Sequence, residues 1–289
     1  MRFVICSLWI VLSLASCGQP ADEQAAVPAG MVRIQAGTFV MGSPASEGGG
    51  NSERPRRTVS LDEFYMGKYP VTQAKYFAVT GDTLAERQPA YYGADYGRGD
   101  DYPMYFVSWY DAITFCNKLS EMEGLVQYYT IDKEQRDPGN NSPYDQDKWL
   151  VVRNHSANGY RLPTEAQWEY ACRAGTVTAY NNGSDEITGD TGWYRNNGNR
   201  THEVGGKPAN PWGLYDMHGN LWEWCWDWFG DYSEAEQINP PADAVSGASR
   251  VVRGGAWDSA GMNLRSAARN SFAPASDFLI NVGFRLVRQ

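Results

Sequence analysis

The chain has 289 residues and a formal net charge of −9, with 30 glycines and 15 prolines that predict a loop-rich domain. It contains no basic cluster that could follow a phosphate backbone, so nucleic acid is not an expected partner. About 260 residues remain after the N-terminal segment, which is enough for one large domain.

The N-terminus has the features of an exported lipoprotein. Arg2 precedes an apolar run at 3–15 that is too short to span a bilayer, and Leu-Ala-Ser-Cys17 at its end is similar to the bacterial lipobox. We predict a signal peptide at 1–16, diacylglycerol on Cys17 and a tether at 17–30. The alternatives are an ordinary cleaved signal peptide and a buried segment with a chance cysteine. The lipoprotein interpretation predicts an exported, lipid-anchored protein of the outer membrane or cell surface.

Short strands and two clear helices are predicted in the first 175 residues. Alternating apolar residues at 32–35 and 37–41 predict the start of a hairpin, and 58–65 alternates again. A short helix is predicted at 71–79. The two main helices, at 108–123 and 164–174, each begin with a capping-box pattern and end before a glycine.

The chain between and after the main helices is predicted to contain less regular structure. The polar stretch at 130–158 reads as an exposed insertion. Short strands are predicted around 250–253 and 283–287. The mature chain keeps three cysteines besides Cys17, so at most one internal disulfide is expected; they are Cys116, Cys172 and Cys225.

Four tryptophans, Trp222, Trp224, Trp226 and Trp228, occupy alternate positions of one segment. In a β-strand they would line one face, and the other face would carry Leu221, Glu223, Cys225 and Asp227. Two carboxylates beside so much apolar surface need cationic partners, because unpaired buried charge is costly. The candidates are arginines and a cation such as calcium.

Eight ordered motifs resemble the formylglycine-generating enzyme (sulfatase-modifying factor) family. They are GTFVMGS (37–43), YPVT (69–72), PMYFVSWYD (103–111), GYRLPTEAQWEY (159–170), GLYDMHGNLWEW (213–224), RGGAW (253–257), RSAAR (265–269) and GFRL (283–286). The resemblance covers 31–289. It implies an α+β fold, the C-type-lectin-like fold of this subclass, which is loop-rich with short twisted strands and two main helices.

The enzymes of this family oxidise a substrate cysteine with copper held by two cysteines, and this chain lacks both. Ser259 stands where the resemblance places the first cysteine, and a hydroxyl cannot replace a thiolate as a copper(I) ligand. Copper is therefore not an expected cofactor. Cys116 and Cys172 match two structural cysteines of the family, but the partner positions hold Ser266 and Leu286, so those bridges are not expected.

The resemblance also implies a structural calcium site. Its oxygen ligands map onto Asp216, Gly219, Leu221 and Glu223, and hard oxygen donors suit calcium. Pairing of the two acids with arginines remains the alternative.

The functional hypothesis is a non-catalytic ligand-binding module that uses its C-terminal face, 257–281, to bind a protein or glycan. Relatives without the catalytic cysteines include variable surface lipoproteins, so a variable receptor is one version of this hypothesis. Apolar residues in this segment either form the binding surface or pack beneath the final strand. The candidate contacts are Trp257, Asp258, Ser259, Met262, Asn263, Arg265, Arg269, Phe272 and Phe278.

The alternative function is an oxidoreductase or protein-modifying enzyme with a non-standard site in the same cleft. Asp258, Ser259, Arg265 and Arg269 would supply its polar side chains.

Overall fold

The structure is a computed structural model that describes residues 26–93, 95–239, 245–276 and 279–289. The predicted signal peptide and the lipidation site Cys17 lie outside these residues and stay predictions. Within the described ranges, no helix combines the length and the apolar character that a membrane crossing requires.

The three predicted helices are confirmed, and their capping residues explain where they begin. They are α1 (Gln73–Thr80), α3 (Trp109–Met122) and α4 (Glu165–Arg173), and the structure adds an unpredicted short helix, α2 (Leu84–Arg87). Ser108 and Thr164 cap α3 and α4, and in both helices the third helical residue returns a side-chain bond to the cap. These boxes satisfy amides that would otherwise lack acceptors at the helix start.

In the part of the chain that the structure describes, twelve short strands form four small sheets, which confirms the α+β, loop-rich architecture. The sheets have the orders β1-β4-β12, β10-β9-β7-β11, β2-β3-β8 and β5-β6. The strands are β1 (Met31–Ile34), β2 (Gly37–Met41), β3 (Arg57–Leu61), β4 (Phe64–Gly67), β5 (Tyr129–Arg136), β6 (Trp149–Arg153), β7 (Trp222–Trp228), β8 (Gln237–Ile238), β9 (Arg250–Arg253), β10 (Arg269–Phe272), β11 (Val282–Phe284) and β12 (Val287–Arg288).

The predicted N-terminal hairpin is wrong, although both of its strands exist. β1 pairs with β4, and β2 pairs with β3, so the two strands belong to different sheets. Alternation locates a strand and its buried face, but it does not choose the partner, because pairing depends on segments elsewhere in the chain.

The predicted exposed insertion at 130–158 is largely a docked β-hairpin of β5 and β6. The Trp149 ring lies 4.5 Å from the ring of Tyr110 on α3. The Tyr110 hydroxyl donates a 2.8 Å hydrogen bond to Asp145, which is buried in the connecting loop. The polar sequence concealed this docking, since a few buried contacts hold an otherwise solvated hairpin.

The tryptophan segment is the buried strand β7, as its alternation predicts. All seven of its residues are buried. The Trp224 indole donates to the Val107 carbonyl at 3.0 Å, and the Trp109 indole donates to the Cys225 carbonyl at 3.0 Å. The rings of Trp226 and Trp109 lie 5.2 Å apart. The tryptophans therefore form core, and backbone carbonyls accept the indole N–H groups of Trp224 and Trp109.

Buried arginine–carboxylate pairs join α4 to the four-stranded sheet β10-β9-β7-β11. Glu169, fully buried in α4, pairs with Arg173 of its own helix and with Arg253 of β9. Glu165, also in α4, lies 3.2 Å from Arg253 and 2.6 Å from Arg269 of β10. Asp227 of β7, whose predicted partner was an arginine, accepts the amide of Glu165 at 2.8 Å and so caps the start of α4.

Replacing Glu169 by Gln should lower the free energy of unfolding by roughly 3 to 5 kcal/mol, because Arg253 would stay buried without its full counter-charge. Urea denaturation of the purified domain measures this change. The exposed Glu134→Gln in β5 is the control and should change stability by less than about 0.5 kcal/mol. Equal effects of the two substitutions would contradict a structural role for the pair.

Candidate functional site

The C-terminal segment reaches the surface through a double-glycine turn after β9. Gly254 and Gly255 have φ angles of +99° and +77°, a region that L side chains rarely adopt. A Cβ on Gly255 would also come within 2.6 Å of the Leu264 side chain. The turn leads to Trp257, which packs half-buried against the core, and then to the exposed residues Met262 and Asn263.

Trp257 lies at one end of a row of aromatic rings. Its ring stacks on Tyr96 at 5.7 Å with an interplanar angle of 28°. Tyr96 is followed by Tyr92 at 6.1 Å, and Tyr92 by Tyr91 at 4.7 Å. Tyr91 is 73% exposed, whereas Trp257 is half-buried. We call these four residues the aromatic face.

The tyrosines of the aromatic face were not among the predicted site residues. They lie more than 160 positions before Trp257 in the sequence, in a loop without secondary structure. The available signal was the tyrosine-rich run at 91–96, YYGADY. Only the fold places this run beside the C-terminal segment.

The polar neighbours of Trp257 are fixed by local hydrogen bonds. The Asp258 carboxylate accepts bonds of 3.0 and 3.2 Å from the Asn281 amide, and its backbone carbonyl accepts one of 2.9 Å from Arg195. The Ser259 hydroxyl accepts the Ala256 amide at 3.1 Å and is 7% exposed. Ser259 therefore stabilises the turn, contrary to its prediction as a surface contact. Met262 and Asn263 are exposed, as a binding surface requires.

Arg265 and Arg269 belong to the framework, contrary to their prediction as ligand contacts. Arg265 donates to Glu53 at 2.7 and 2.8 Å and to Glu47 at 2.8 Å. Arg269 donates to Glu165 at 2.6 and 2.8 Å. Both guanidinium groups are buried and engaged in ion pairs, so neither is available to a ligand.

The apolar residues at the end of the segment pack inward where the structure describes them. Phe272 meets the Trp224 ring edge-on at 6.2 Å, and Leu279 and Ile280 pack against the same core. This agrees with the alternative in which these residues pack inward and do not form the binding surface. Phe278 lies outside the described residues. The candidate surface is therefore the aromatic face with Asp258, Met262 and Asn263.

The three thiols of the described residues are buried and do not contribute to this surface. Cys116, Cys172 and Cys225 are all buried and free, so the single disulfide that the cysteine count allowed does not form among them. Burial raises the pKa of Cys172 to about 12. Its sulfur lies 3.7 Å from the hydroxyl of Ser266, the residue that the resemblance placed at a bridge partner position.

The two side chains among the predicted calcium ligands have different partners: Glu223 pairs with an arginine, whereas Asp216 accepts a backbone amide. Both oxygens of Glu223 accept bonds from Arg285, at 2.7 and 3.0 Å, and one also accepts the Trp168 indole at 2.7 Å. For Glu223, the structure therefore agrees with the alternative to calcium, which is pairing with an arginine. Asp216 accepts the Gly205 amide at 2.7 Å, and burial raises its pKa to about 6.

The calcium site therefore fits only in part. A cation would stabilise the charge of Asp216, and the carbonyls of Gly219 and Leu221 are the remaining predicted donors. Glu223 already has a counter-charge. Among the residues that the structure describes, no three His, Cys, Asp or Glu side chains form a metal-binding group. Calcium at this site stays a prediction.

The sequence is similar to one protein family and to several known proteins. The family described as "Sulfatase-modifying factor enzyme 1-like domain" matches residues 18–289. "Chaperone protein LppX" of Paenibacillus barcinonensis is 40% identical over 220 residues, covering 70% of this chain and 71% of that protein. The "Formylglycine-generating enzyme" of Streptomyces coelicolor is 31% identical over 291 residues, covering 89% and 88%.

A solved structure shares the fold over most of its length. "Treponema denticola variable protein 1" superposes with a TM-score of 0.74 at 32% identity and covers 89% of this chain and 94% of its own. The fold expected from the motifs is therefore confirmed.

If calcium binds at Asp216, it should raise the melting temperature, since a ligand that binds only the folded state stabilises it by about 2.7 kcal/mol at 100 times its Kd. Scanning calorimetry with calcium, magnesium and EDTA measures the shift. Asp216→Asn should abolish it, and the exposed Asp190→Asn should not. Equal calcium stabilisation of the wild type and Asp216→Asn would place the ion elsewhere.

Acid should weaken the buried ion pair between Glu53 and Arg265. Burial alone would raise the pKa of Glu53, but the hydrogen bonds and the charge of Arg265 outweigh it and lower the pKa below 4.5. The stability that Glu53 adds is therefore complete above the unfolded pKa and is lost as pH falls through the lower folded value. Unfolding experiments should show the largest difference between wild type and Glu53→Gln near neutral pH, shrinking on acidification. A pH-independent difference would contradict this account.

Proposed function

The chain belongs to the sulfatase-modifying factor (FGE-sulfatase) family, and from this membership we propose that it is an exported, lipid-anchored, non-catalytic module that binds a protein ligand through the aromatic face. The observation that carries the proposal is the stack of Trp257 on Tyr96 at 5.7 Å, in a row of rings that ends at exposed Tyr91. Exposed Met262 follows Trp257 five positions later in the chain. Tyrosine, tryptophan and methionine are enriched in protein-binding surfaces. Tyrosine and tryptophan supply large contact area with few rotatable bonds to restrict.

The surface is suited to recognition because its backbone is fixed. The Trp257 amide donates to the Asn220 carbonyl at 3.1 Å, and the Trp257 indole donates to the Ile280 carbonyl at 3.4 Å. A side chain that is already ordered loses less entropy when a partner binds. Half-buried Trp257 supplies the anchor, and the exposed residues around it supply contacts that a partner can cover.

Chemistry of the copper type is disfavoured by the same geometry. The position of the first catalytic cysteine is occupied by Ser259, whose hydroxyl is hydrogen-bonded inside its own turn. The arginines proposed for an alternative active site are paired with glutamates. These observations favour binding over oxidation.

The names of two relatives agree with a protein ligand. One is called a chaperone protein and the other a variable protein. A chaperone acts on another polypeptide, and variation on a constant fold is typical of surfaces that change partners. We therefore favour a protein ligand over the glycan that the sequence also allowed.

Site-specific photo-crosslinking tests the proposal. A photoreactive phenylalanine at Met262, which is 57% exposed, should capture a discrete partner in the host cells. The same group at Tyr144, which is 83% exposed in the β5–β6 connection, should not. Trp257→Ala should reduce capture at Met262 strongly, because a central tryptophan contributes about 2 kcal/mol or more at interfaces.

Trp212→Ala is the matched control, since Trp212 is also half-buried but packs on Tyr170, outside the aromatic face. It should leave capture at Met262 unchanged. Capture from Tyr144 alone, or equal loss with both tryptophan variants, would contradict the proposal. Stoichiometric copper with thiol-dependent oxygen consumption would contradict its non-catalytic part.

A further inference from the structure

A buried arginine that has no carboxylate partner among the described residues lies in a polar pocket beside the N-terminus of α4. Arg161 is 5% exposed. The two hydrogen bonds that its guanidinium donates both leave from Nη1, to the Leu162 carbonyl at 3.2 Å and to Gln167 at 2.8 Å. Its Nε has no acceptor among the described residues. Buried guanidinium groups are normally paired, because an unpaired charge is costly to desolvate.

Other buried arginines of the chain show what Arg161 lacks. Arg253, Arg265 and Arg285 each meet a glutamate. Arg250 instead lies between tryptophan rings, 3.5 Å from that of Trp228, and donates to the Trp226 carbonyl at 2.7 Å. Arg161 has one aromatic neighbour, the ring of Tyr128 at 5.3 Å.

The pocket brings further cationic and donor groups to Arg161. It has a volume of about 200 Å³, enough for several water molecules or one small anion. It is lined by Leu61, Asp62, Tyr128, Arg153, His155, Arg161, Thr164, Gln167, Asn239 and Gln289. Arg153 stacks on Trp226 at 4.8 Å, and no carboxylate of the described chain lies within 4 Å of it in an ion pair.

Two carboxylates also line the pocket, those of Asp62 and of the terminal residue Gln289, but among the described residues neither forms an ion pair with Arg153 or Arg161. His155 shares a 3.2 Å hydrogen bond with the Tyr128 hydroxyl, and burial together with the two arginines lowers its pKa. Asp62 at the rim is bound by Asn239, which donates to its carboxylate at 2.7 Å. The pocket therefore combines two arginines, one recessed and one half-exposed, with the amide of Gln167.

We propose that this pocket binds a small tetrahedral oxyanion, a phosphate or sulfate group, between the guanidinium groups of Arg153 and Arg161. Guanidinium N–H groups match the oxygens of such anions in pairs, and charge-assisted bonds of this kind are stronger than neutral ones. The anion supplies the counter-charge that Arg161 lacks. The site is separate from the aromatic face, so it does not depend on the proposed protein ligand.

Titration calorimetry of the full exported chain with inorganic phosphate and with sulfate, at constant ionic strength against chloride, tests the site. Arg153→Gln should weaken binding by about tenfold or more, the usual size of one lost charge-assisted bond. Arg161→Gln should abolish binding. Since Arg161→Gln can also impair folding, Arg153→Gln with an unchanged melting temperature is the deciding variant. Exposed Arg56, outside this pocket, is the matched control, and Arg56→Gln should bind like the wild type.

Vesicles of phosphatidylglycerol and of phosphatidylcholine distinguish two sources of the same group. Competition by the first alone would identify a lipid headgroup, and no competition would identify a free oxyanion; both results support the site if Arg153→Gln removes phosphate binding. Absence of any phosphate or sulfate binding beyond chloride would overturn the proposal. So would binding that Arg153→Gln and Arg161→Gln leave unchanged.

Discussion

The structure depends on guanidinium groups buried against carboxylates. Most strands here have five residues or fewer, and the sheets have two to four strands, so regular hydrogen bonding alone cannot hold the domain together. Glu169 instead ties α4 to β9 through Arg253 and accepts the Gly42 amide of the N-terminal part at 2.9 Å. Glu223 ties β7 to the chain beyond β11 through Arg285. Such pairs add little net stability compared with apolar packing, but their geometry is specific, and breaking one is costly.

The same pairs determine where a binding surface can lie. The segment 257–263 is preceded by Arg253 and followed by Arg265, and both arginines are fixed in buried ion pairs. Between these two anchors the chain turns at the surface and stacks Trp257 on Tyr96. Substitutions at the exposed positions of this segment, Met262 and Asn263, would leave both anchors in place. The proposed protein-binding role therefore agrees with a surface segment that is held at both ends by the ion-paired arginines Arg253 and Arg265.

Local signals in the sequence predicted local structure well. The capping boxes at Ser108 and Thr164 identified α3 and α4, because a cap and its partner lie three residues apart. The alternating tryptophans identified β7. Strand partners were not predictable in this way, and neither were the roles of Arg265 and Arg269, whose carboxylates lie about 100 to 200 positions earlier in the chain. The roles of Tyr96 and Arg161 were not predictable for a related reason, since a half-buried tyrosine and a buried arginine become informative only once their neighbours are known.

Hydrogen exchange of the full chain, free and bound to the partner captured at Met262, tests the central claim most directly. Binding through the aromatic face predicts slower exchange at 91–96 and 257–263 and unchanged exchange in the β5–β6 hairpin. Protection confined to the hairpin or to the N-terminal strands, with 257–263 unchanged, would contradict it.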